Sequence, residues 1–286
     1  MKTLSTLYLV AILAAASLDA GTVARSGTRS LRTRIAAHKA GPNRQLFVAP
    51  NVDHVFPYFL VSNAWNTTLY LTNLEDREIK VYCEFVNANG EELPLQFDFS
   101  ANAEDVTAYT ESIIPAFSTG SFHTVSTATA LTTAWAYCSS EPRTDRFSGY
   151  AVVKNTASNG ATREFITNLQ PEEEPVFSVP FTDAASGRTA LVLVNNSLEE
   201  DSTLAIFAFD PDGNPAGNGT ITLKPSNLRT LVLNEAFKDL KSGTIRVVHV
   251  EGTKYVGGMA LRTNASGYTV FTPLTPKEAP PAPPEQ

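Results

Sequence analysis

The sequence predicts an all-β protein made of two tandem antiparallel β-sandwich domains that arose by internal duplication. Short runs of β-branched and aromatic residues alternate with polar residues, as at 68–72 and 79–86, which is the pattern of strands with one buried face. Turn signals such as Asn89-Gly90 and Asp212-Gly213 separate these runs. Because each strand must bury its apolar side against a second sheet, a sandwich is the expected architecture.

The duplication is predicted by segments that recur at a nearly constant offset. The segment TTLYLTN at 67–73 matches TALVLVN at 189–195, an offset of 122 residues. The turn segment NANG at 87–90 matches DPDG at 210–213, an offset of 123 residues. Offsets of this size indicate a repeated domain, since solenoid repeats have periods of about 20–50 residues.

The offset changes further along the chain. Gly120 and Gly243, each at the head of a predicted strand, are also 123 residues apart. The segment SGYAVVKN at 148–155 then matches GGMALRTN at 257–264 at an offset of 109. We therefore expect the first repeat to hold 14 additional residues within 124–147, the difference between the two offsets.

Both ends of the chain differ in composition from its middle. Residues 1–20 combine Lys2 with an apolar run and small residues, the pattern of a signal peptide, so we expect export to the periplasm, the cell surface or the medium. No apolar segment reaches the length of about 18 residues that a transmembrane helix needs. The further divisions expected are a basic flexible arm at 21–45, β-sandwich 1 at 46–170, an acidic Pro-flanked linker at 171–175, β-sandwich 2 at 176–275 and a Pro-rich disordered tail at 276–286.

Charge is distributed unevenly along the chain, whose formal net charge is −7. Residues 21–50 hold six basic residues and no acidic residue. Without these six, Lys2 and Asp19, 15 basic and 28 acidic residues remain, so the body carries a charge of −13. Nucleic acid is not an expected partner of an acidic body, because phosphates are neutralised by a basic face. The arm is either an anion-binding segment for acidic glycans or membrane surfaces, or a solvated leader or propeptide.

The two cysteines are the most specific chemical feature of the sequence. Cys83 lies in a predicted strand at the position that Ile206 occupies in the second repeat, and Cys138 lies in the segment expected to be unique to the first. Two cysteines on separate strands of an exported protein predict a disulfide. The alternative is two buried thiols that act as small apolar side chains.

Four aromatic residues of the first repeat are candidates for ligand stacking. They are Trp65, Trp135, Tyr137 and Tyr150. Exposed Trp and Tyr side chains on a sheet can stack on sugar rings. Large aromatic residues on alternating strands are also typical of a buried core, and the sequence leaves both interpretations open.

No motif of the sequence points to catalysis, a metal or a cofactor. The four histidines show no metal-ligand spacing, and the G-x-S-x-G, P-loop and G-x-G-x-x-G motifs are absent. The carboxylates at 210–214 resemble a calcium loop, but Pro215 stands where an EF-hand has glycine and the bidentate Glu is missing. A hairpin turn explains both this segment and its match at 87–90. We therefore predict no catalytic residue, no metal site and no cofactor.

A layout of structural motifs covers residues 55–274 in both halves. Its matching residues are Phe56-Pro57, Trp65, NTTLYLTN at 66–73, Asn89-Gly90 and Ser148-Gly149-Tyr150. This layout resembles a loosely defined group of exported bacterial proteins in which paired immunoglobulin-like β-sandwich units follow a signal peptide and no biochemical role is established. The resemblance implies an immunoglobulin-like fold and export, and it carries over no catalytic residue. The second half departs from the layout by lacking Trp.

Export, duplication and the lack of catalytic motifs predict a secreted or surface-associated binding or structural protein without catalysis. Its expected partner is a cell-surface polymer, a glycan or a protein. Two alternatives stay open: a carbohydrate-binding module that uses the aromatic residues of sandwich 1, and a hydrolase with its site between the two sandwiches. Exposed strand edges can pair with another chain, which allows oligomerisation.

Overall fold

The computed structural model describes residues 54–98, 106–126, 129–142, 144, 146–171, 176–182, 187–238, 240–264 and 267–271. The predicted signal peptide, basic arm and Pro-rich tail lie outside the described residues, as do positions 172–175 of the predicted linker. The described residues are mostly β-strand with a single short helix, so the prediction of an all-β protein is confirmed.

Within the described residues, the first half of the chain contributes eleven strands. They are β1 His54–Val61, β2 Trp65–Asn73, β3 Ile79–Asn87, β4 Leu95–Phe97, β5 Val106–Thr107, β6 Tyr109–Ile114, β7 Thr119–Val125, β8 Thr132–Glu141, β9 Phe147–Thr156, β10 Thr162–Asn168 and β11 Gln170–Pro171. The described part of the second half contributes eight strands and a short helix. They are β12 Val176–Thr182, β13 Gly187–Asn195, β14 Ser202–Phe209, β15 Pro215–Leu223, β16 Leu228–Val232, α1 Leu233–Ala236, β17 Ser242–Gly252, β18 Val256–Asn264 and β19 Gly267–Phe271.

The strands form four antiparallel sheets, two in each half. Sheet I has the order β11-β1-β8-β3-β6, and sheet II has the order β10-β9-β2-β7-β4-β5. In the second half, sheet III has the order β12-β17-β14-β15, and sheet IV has the order β16-β13-β18-β19. Sheet III repeats the β1-β8-β3-β6 order of sheet I, and sheet IV, read from its other edge, repeats the β10-β9-β2-β7 order of sheet II. The two halves therefore pair their strands in the same way.

Burial along the strands shows that the four sheets pack in the order II, I, IV, III. At one edge of the stack, β10 of sheet II also contacts β19 of sheet IV directly. Strands β2 and β14 alternate between buried and more exposed residues, whereas β1 is buried at all eight positions. Strand β13 is likewise buried throughout 189–195. Because successive side chains of a strand point to opposite faces, a strand buried along its length is covered on both sides. Sheets I and IV are therefore the inner layers.

The surfaces of sheets I and IV that meet between the halves, here called face I and face IV, form a hydrophobic contact of their own. Alternate residues of β13 and β18 belong to different cores: Val192, Val194, Met259 and Leu261 cluster with the first half, and Leu191, Leu193 and Ala260 cluster with sheet III. The Gln170 side chain also exchanges two hydrogen bonds with the Gly258 backbone, at 2.8 and 3.1 Å. The halves are thus joined by buried surface as well as by the chain.

The strand order corrects the predicted repeat in two respects. Gly120 lies in β7 of sheet II, whereas Gly243 lies in β17 of sheet III, whose counterpart is β8. The match between these glycines is wrong, because short alternating strands that begin with glycine look alike in sequence. The additional residues of the first half are at 88–108, between β3 and β6, where the second half has only the turn 210–214.

Cys83 and Cys138 form the predicted disulfide. They are directly opposite each other on β3 and β8. The corresponding positions of β14 and β17 hold Ile206 and Val247, which are also directly opposite and buried. Cys138 therefore does not lie in a segment unique to the first half. The disulfide occupies the place that an apolar pair occupies in the second half.

Candidate functional site

Three of the four aromatic residues predicted to stack on ligands are buried. Trp135 is 0% exposed, Trp65 3% and Tyr137 5%, whereas Tyr150 is 39% exposed. Trp135 and Tyr137 lie on β8, an inner strand covered on both sides. Because a ring without an exposed face cannot stack on a sugar, these four residues do not form a stacking platform. The core interpretation applies to both tryptophans and to Tyr137.

Trp65 belongs to an aromatic cluster where the two halves meet. Its ring centroid is 5.7 Å from that of Tyr268 on β19 and 6.3 Å from that of Phe165 on β10. Tyr58 of β1 completes the cluster, with its ring 6.2 Å from Phe165. Burial raises the pKa of the Tyr58 and Tyr268 phenols above the ordinary value, since each phenolate would lose its hydration. The cluster therefore holds its tyrosines neutral.

We expect Tyr58 to stay protonated in the native protein at a pH of about 10, where exposed tyrosines ionise. Because its folded-state pKa is raised, its contribution to stability is full below a pH of about 10 and is lost as the pH rises further. In a titration of phenolate absorbance, Tyr58→Phe should leave the native signal near this pH unchanged. A native signal that is lower in Tyr58→Phe than in the wild type would contradict the prediction.

Face II, the outward surface of sheet II, is a broad exposed surface of the first half. Every second residue of β10, β9, β2 and β7 points outward. From edge to edge, its rows are Asn168, Tyr150, Tyr70 and Ser121, then Ile166, Val152, Thr68 and His123, then Glu164, Lys154 and Asn66. Face II thus has an aromatic and aliphatic centre with polar groups around it.

Tyr70 and Tyr150 form the centre of face II. They are directly opposite on β2 and β9, and their rings stack with centroids 4.9 Å apart and an interplanar angle of 20°. Beside them, the Thr68 hydroxyl and His123 Nδ1 are 2.8 Å apart and share a hydrogen bond. Local sequence pattern singles out Tyr150 but not Tyr70, because the pairing of the two rings depends on strand register. The outward position of Tyr70 in the alternating pattern of β2 was the available signal.

Face III, the outward surface of sheet III, carries a groove at one end. The groove has a volume of about 490 Å³ and lies beside the hairpin turn 210–213. Its lining includes Phe209, Thr244 and Arg246. Phe207, directly opposite Arg246 on the neighbouring strand, is 38% exposed. The groove therefore offers aromatic surface, together with the charges of Arg246 and Asp210, to a ligand or a partner side chain.

The carboxylates at 210–214 form the predicted hairpin turn. Asp210 Oδ1 accepts the backbone N–H groups of Asp212 and Asn214 at 2.9 and 2.8 Å, and Oδ2 accepts the Asn214 side-chain amide at 3.0 Å. These hydrogen bonds, that of the Asn214 side chain foremost, hold the pKa of Asp210 below its ordinary value. Asn87 accepts the corresponding backbone N–H groups of Asn89 and Glu91 in the first half. The Asp210 carboxylate thus stabilises the hairpin turn by accepting hydrogen bonds from it.

Comparisons of the chain with protein-family models, with curated proteins and with solved structures find no match. In the described part of the chain, no group of three or more His, Cys, Asp or Glu residues is placed to hold a metal ion. The same part contains no helix of the length and apolarity that crossing a membrane requires. Faces II and III are candidate functional surfaces because each combines exposed aromatic side chains with polar groups.

Proposed function

We propose that this chain is an exported, non-catalytic interaction protein that acts at the cell surface through faces II and III. The observation that carries the proposal is the four-layer stack, in which one surface of each half is buried and the other is open. Tyr150 and Ile166 give face II exposed apolar area, and Phe207 does so on face III. Exposed apolar patches with polar surroundings are typical of interaction surfaces.

We also propose that the two halves are copies of one immunoglobulin-like sandwich. Asn73 and Asn195 support this, since each is 0% exposed at the end of β2 or β13. The Asn73 amide donates to the carbonyls of Arg77, at 2.7 Å, and Ile114, at 3.1 Å. The Asn195 amide donates to the carbonyls of Glu200, at 2.8 Å, and Leu223, at 3.1 Å, which occupy the matching loop and strand end. A buried amide that ties the same two segments in each half is expected of a duplication.

Binding to the cell surface tests the proposed function. We expect the mature protein to be depleted from solution by intact producing cells or by fragments of their envelope. The variant Tyr70→Ser/Tyr150→Ser removes the stacked rings from face II, so its depletion should be weaker by about tenfold or more, as for loss of an interface hot spot. Circular dichroism checks that the variant is folded.

The matched control is Tyr109→Ser/Ile113→Ser. It removes two side chains of β6 that are 47% and 58% exposed and lie outside faces II and III. We expect this control to be depleted like the wild type. Absence of wild-type depletion at every salt concentration would refute the proposed function, and unchanged depletion of the face II variant would refute the role of face II.

The surface between the halves gives no support to a hydrolase site there. Apolar side chains such as Trp135, Val192 and Met259 fill it. A carbohydrate-binding module built on Trp65 and Trp135 is equally without support, because both rings are buried. Binding through faces II and III therefore remains the function that the geometry favours.

A further inference from the structure

The contact between the two halves is asymmetric. The first half contributes face I and the second half contributes face IV. By strand order, sheet III is the counterpart of sheet I, and sheet IV is the counterpart of sheet II. The counterparts of the two buried faces are therefore face III and face II, which lie at opposite ends of the stack. A surface of each type is buried once inside the chain and is open once at an end.

One turn of the second half is central to the internal contact. The turn 224–227 places Ser226, with a φ of 58°, against the hairpin turn 87–90. A Cβ added to Gly90 would lie 3.1 Å from the Ser226 Cβ. The indole N–H of Trp135 donates to the Ser226 carbonyl at 3.1 Å. The turn that carries Ser226 thus contacts both the Trp135 ring and the hairpin turn at Gly90.

Phe117 is the counterpart of Ser226 on the first half. Its N–H donates to the Glu75 carbonyl at 3.2 Å, as the Ser226 N–H donates to the Ser197 carbonyl at 2.7 Å. Its φ is 53°, in a turn closed by the hydrogen bond from the Ser118 N–H to the Pro115 carbonyl, and a positive φ favours glycine, so a phenylalanine there is strained. The Phe117 side chain is 68% exposed, so burial within its own chain does not offset this strain.

Thr244 is the counterpart of Trp135 on the second half. The register of β17 with β14 places Thr244 where the register of β8 with β3 places Trp135. Gly213, at a φ of 85°, is likewise the counterpart of Gly90, at a φ of 84°. Both Thr244 and Gly213 line the groove of face III. The groove therefore lies where the first half holds an indole ring.

The differences between Ser226 and its counterpart Phe117, and between Trp135 and its counterpart Thr244, are opposite in side-chain size. Inside the chain, the indole of the large residue Trp135 donates a hydrogen bond to the backbone carbonyl of the small residue Ser226, whose Cβ lies beside Gly90. On the open faces, the projecting residue is the large Phe117 and the receiving residue is the small Thr244. A phenylalanine ring in the groove would also contact the Arg246 guanidinium, which favours aromatic faces.

We propose that copies of this chain associate head to tail, with face II of one copy on face III of the next and Phe117 inserted into the groove beside Thr244. The inference rests on the proposed function in using the same two faces, and it identifies their partner as a second copy of this chain. Because the two contacting faces differ, the contact is heterologous and leads to open chains of copies rather than to two-fold dimers.

Mixing two singly blocked variants tests this proposal. Phe117→Ser removes the projecting ring and keeps the groove, whereas Thr244→Trp fills the groove and keeps the ring. In sedimentation velocity over a concentration series, we expect the wild type to form oligomers larger than dimers and each variant alone to stay monomeric. An equimolar mixture should assemble beyond dimers, since Phe117 of one variant enters the open groove of the other. The remaining two faces then combine a small residue with an indole ring, as Ser226 and Trp135 do inside the chain.

A double variant and a matched control complete the test. Phe117→Ser/Thr244→Trp reproduces the internal pairing of Ser226 with Trp135 and should recover self-association. Ile113→Ser, at an exposed position outside faces II and III, should assemble like the wild type. Circular dichroism and thermal melting check the fold of each variant. A wild type that stays monomeric, a mixture that stays monomeric, or single variants that assemble like the wild type would each overturn the proposal.

Depletion by envelope fragments, measured on the same variants, separates this proposal from the proposed function. If Phe117→Ser and the wild type are both depleted while the mixture stays monomeric, only the head-to-tail contact is overturned. If the mixture assembles while the wild type is not depleted, the head-to-tail contact is supported and only the cell-surface role is overturned.

Discussion

Removal of the Cys83–Cys138 disulfide is expected to lower the free energy of unfolding by about 4 kcal/mol, the loop-closure entropy of a crosslink of this span. The bond joins residues 55 positions apart and restricts the unfolded chain more than the folded one. The measurement is urea denaturation of Cys83→Ala/Cys138→Ala beside the oxidised wild type. A loss below about 1 kcal/mol would contradict this assignment of the disulfide's effect.

The second half of the chain supplies the matched control for this prediction. Cys83→Ile/Cys138→Val installs the apolar pair that Ile206 and Val247 form at the same place of the second half. It lacks the crosslink but fills the space, so we expect a stability between those of the alanine variant and the wild type. The alanine variant should be less stable than Cys83→Ile/Cys138→Val by about 1 kcal/mol or more, because it buries less apolar surface.

Much of the fold could be predicted from local patterns, because those patterns report local physics. Alternation in β2 predicts a strand with one buried face, and Asn89-Gly90 predicts a hairpin turn that Gly90 forms with a φ of 84°. The layering could not be predicted in the same way. Apolar runs such as 191–194 indicate strands buried on both faces, but they do not indicate which sheet provides the cover.

The candidate site was harder to predict, because exposure decides what an aromatic side chain does. Trp135 and Tyr150 both lie in alternating segments, and only packing of the second half on β8 separates the buried ring from the exposed one. Phe117 gave no signal in the sequence, since its strained and exposed position depends on a turn closed by long-range pairing. The burial of Trp135 and the exposure of Phe117 both depend on contacts between distant segments.

Trp135→Ala is expected to lower the free energy of unfolding by about 3–5 kcal/mol, the range for truncation of a large buried aromatic side chain. Trp135 is 0% exposed and packs between the two halves. The substitution leaves a cavity in the layer that joins them and removes the hydrogen bond to the Ser226 carbonyl. Urea denaturation measures the loss. Trp135→Phe keeps most of the packing, so its cost should approach the roughly 1–3 kcal/mol of an unpaired buried carbonyl.

Thr244→Ala is the internal control for this prediction, because Thr244 occupies the same register position on an open face. Its side chain is exposed, so we expect a change within about 0.5 kcal/mol, as for most surface substitutions. The difference between the two alanine variants therefore measures the contribution of the layer that covers Trp135. Similar costs at the two positions would mean that the contact between faces I and IV adds little to stability. A large difference would show that cover by the second half stabilises β8, whereas β17 is left open at the matching position.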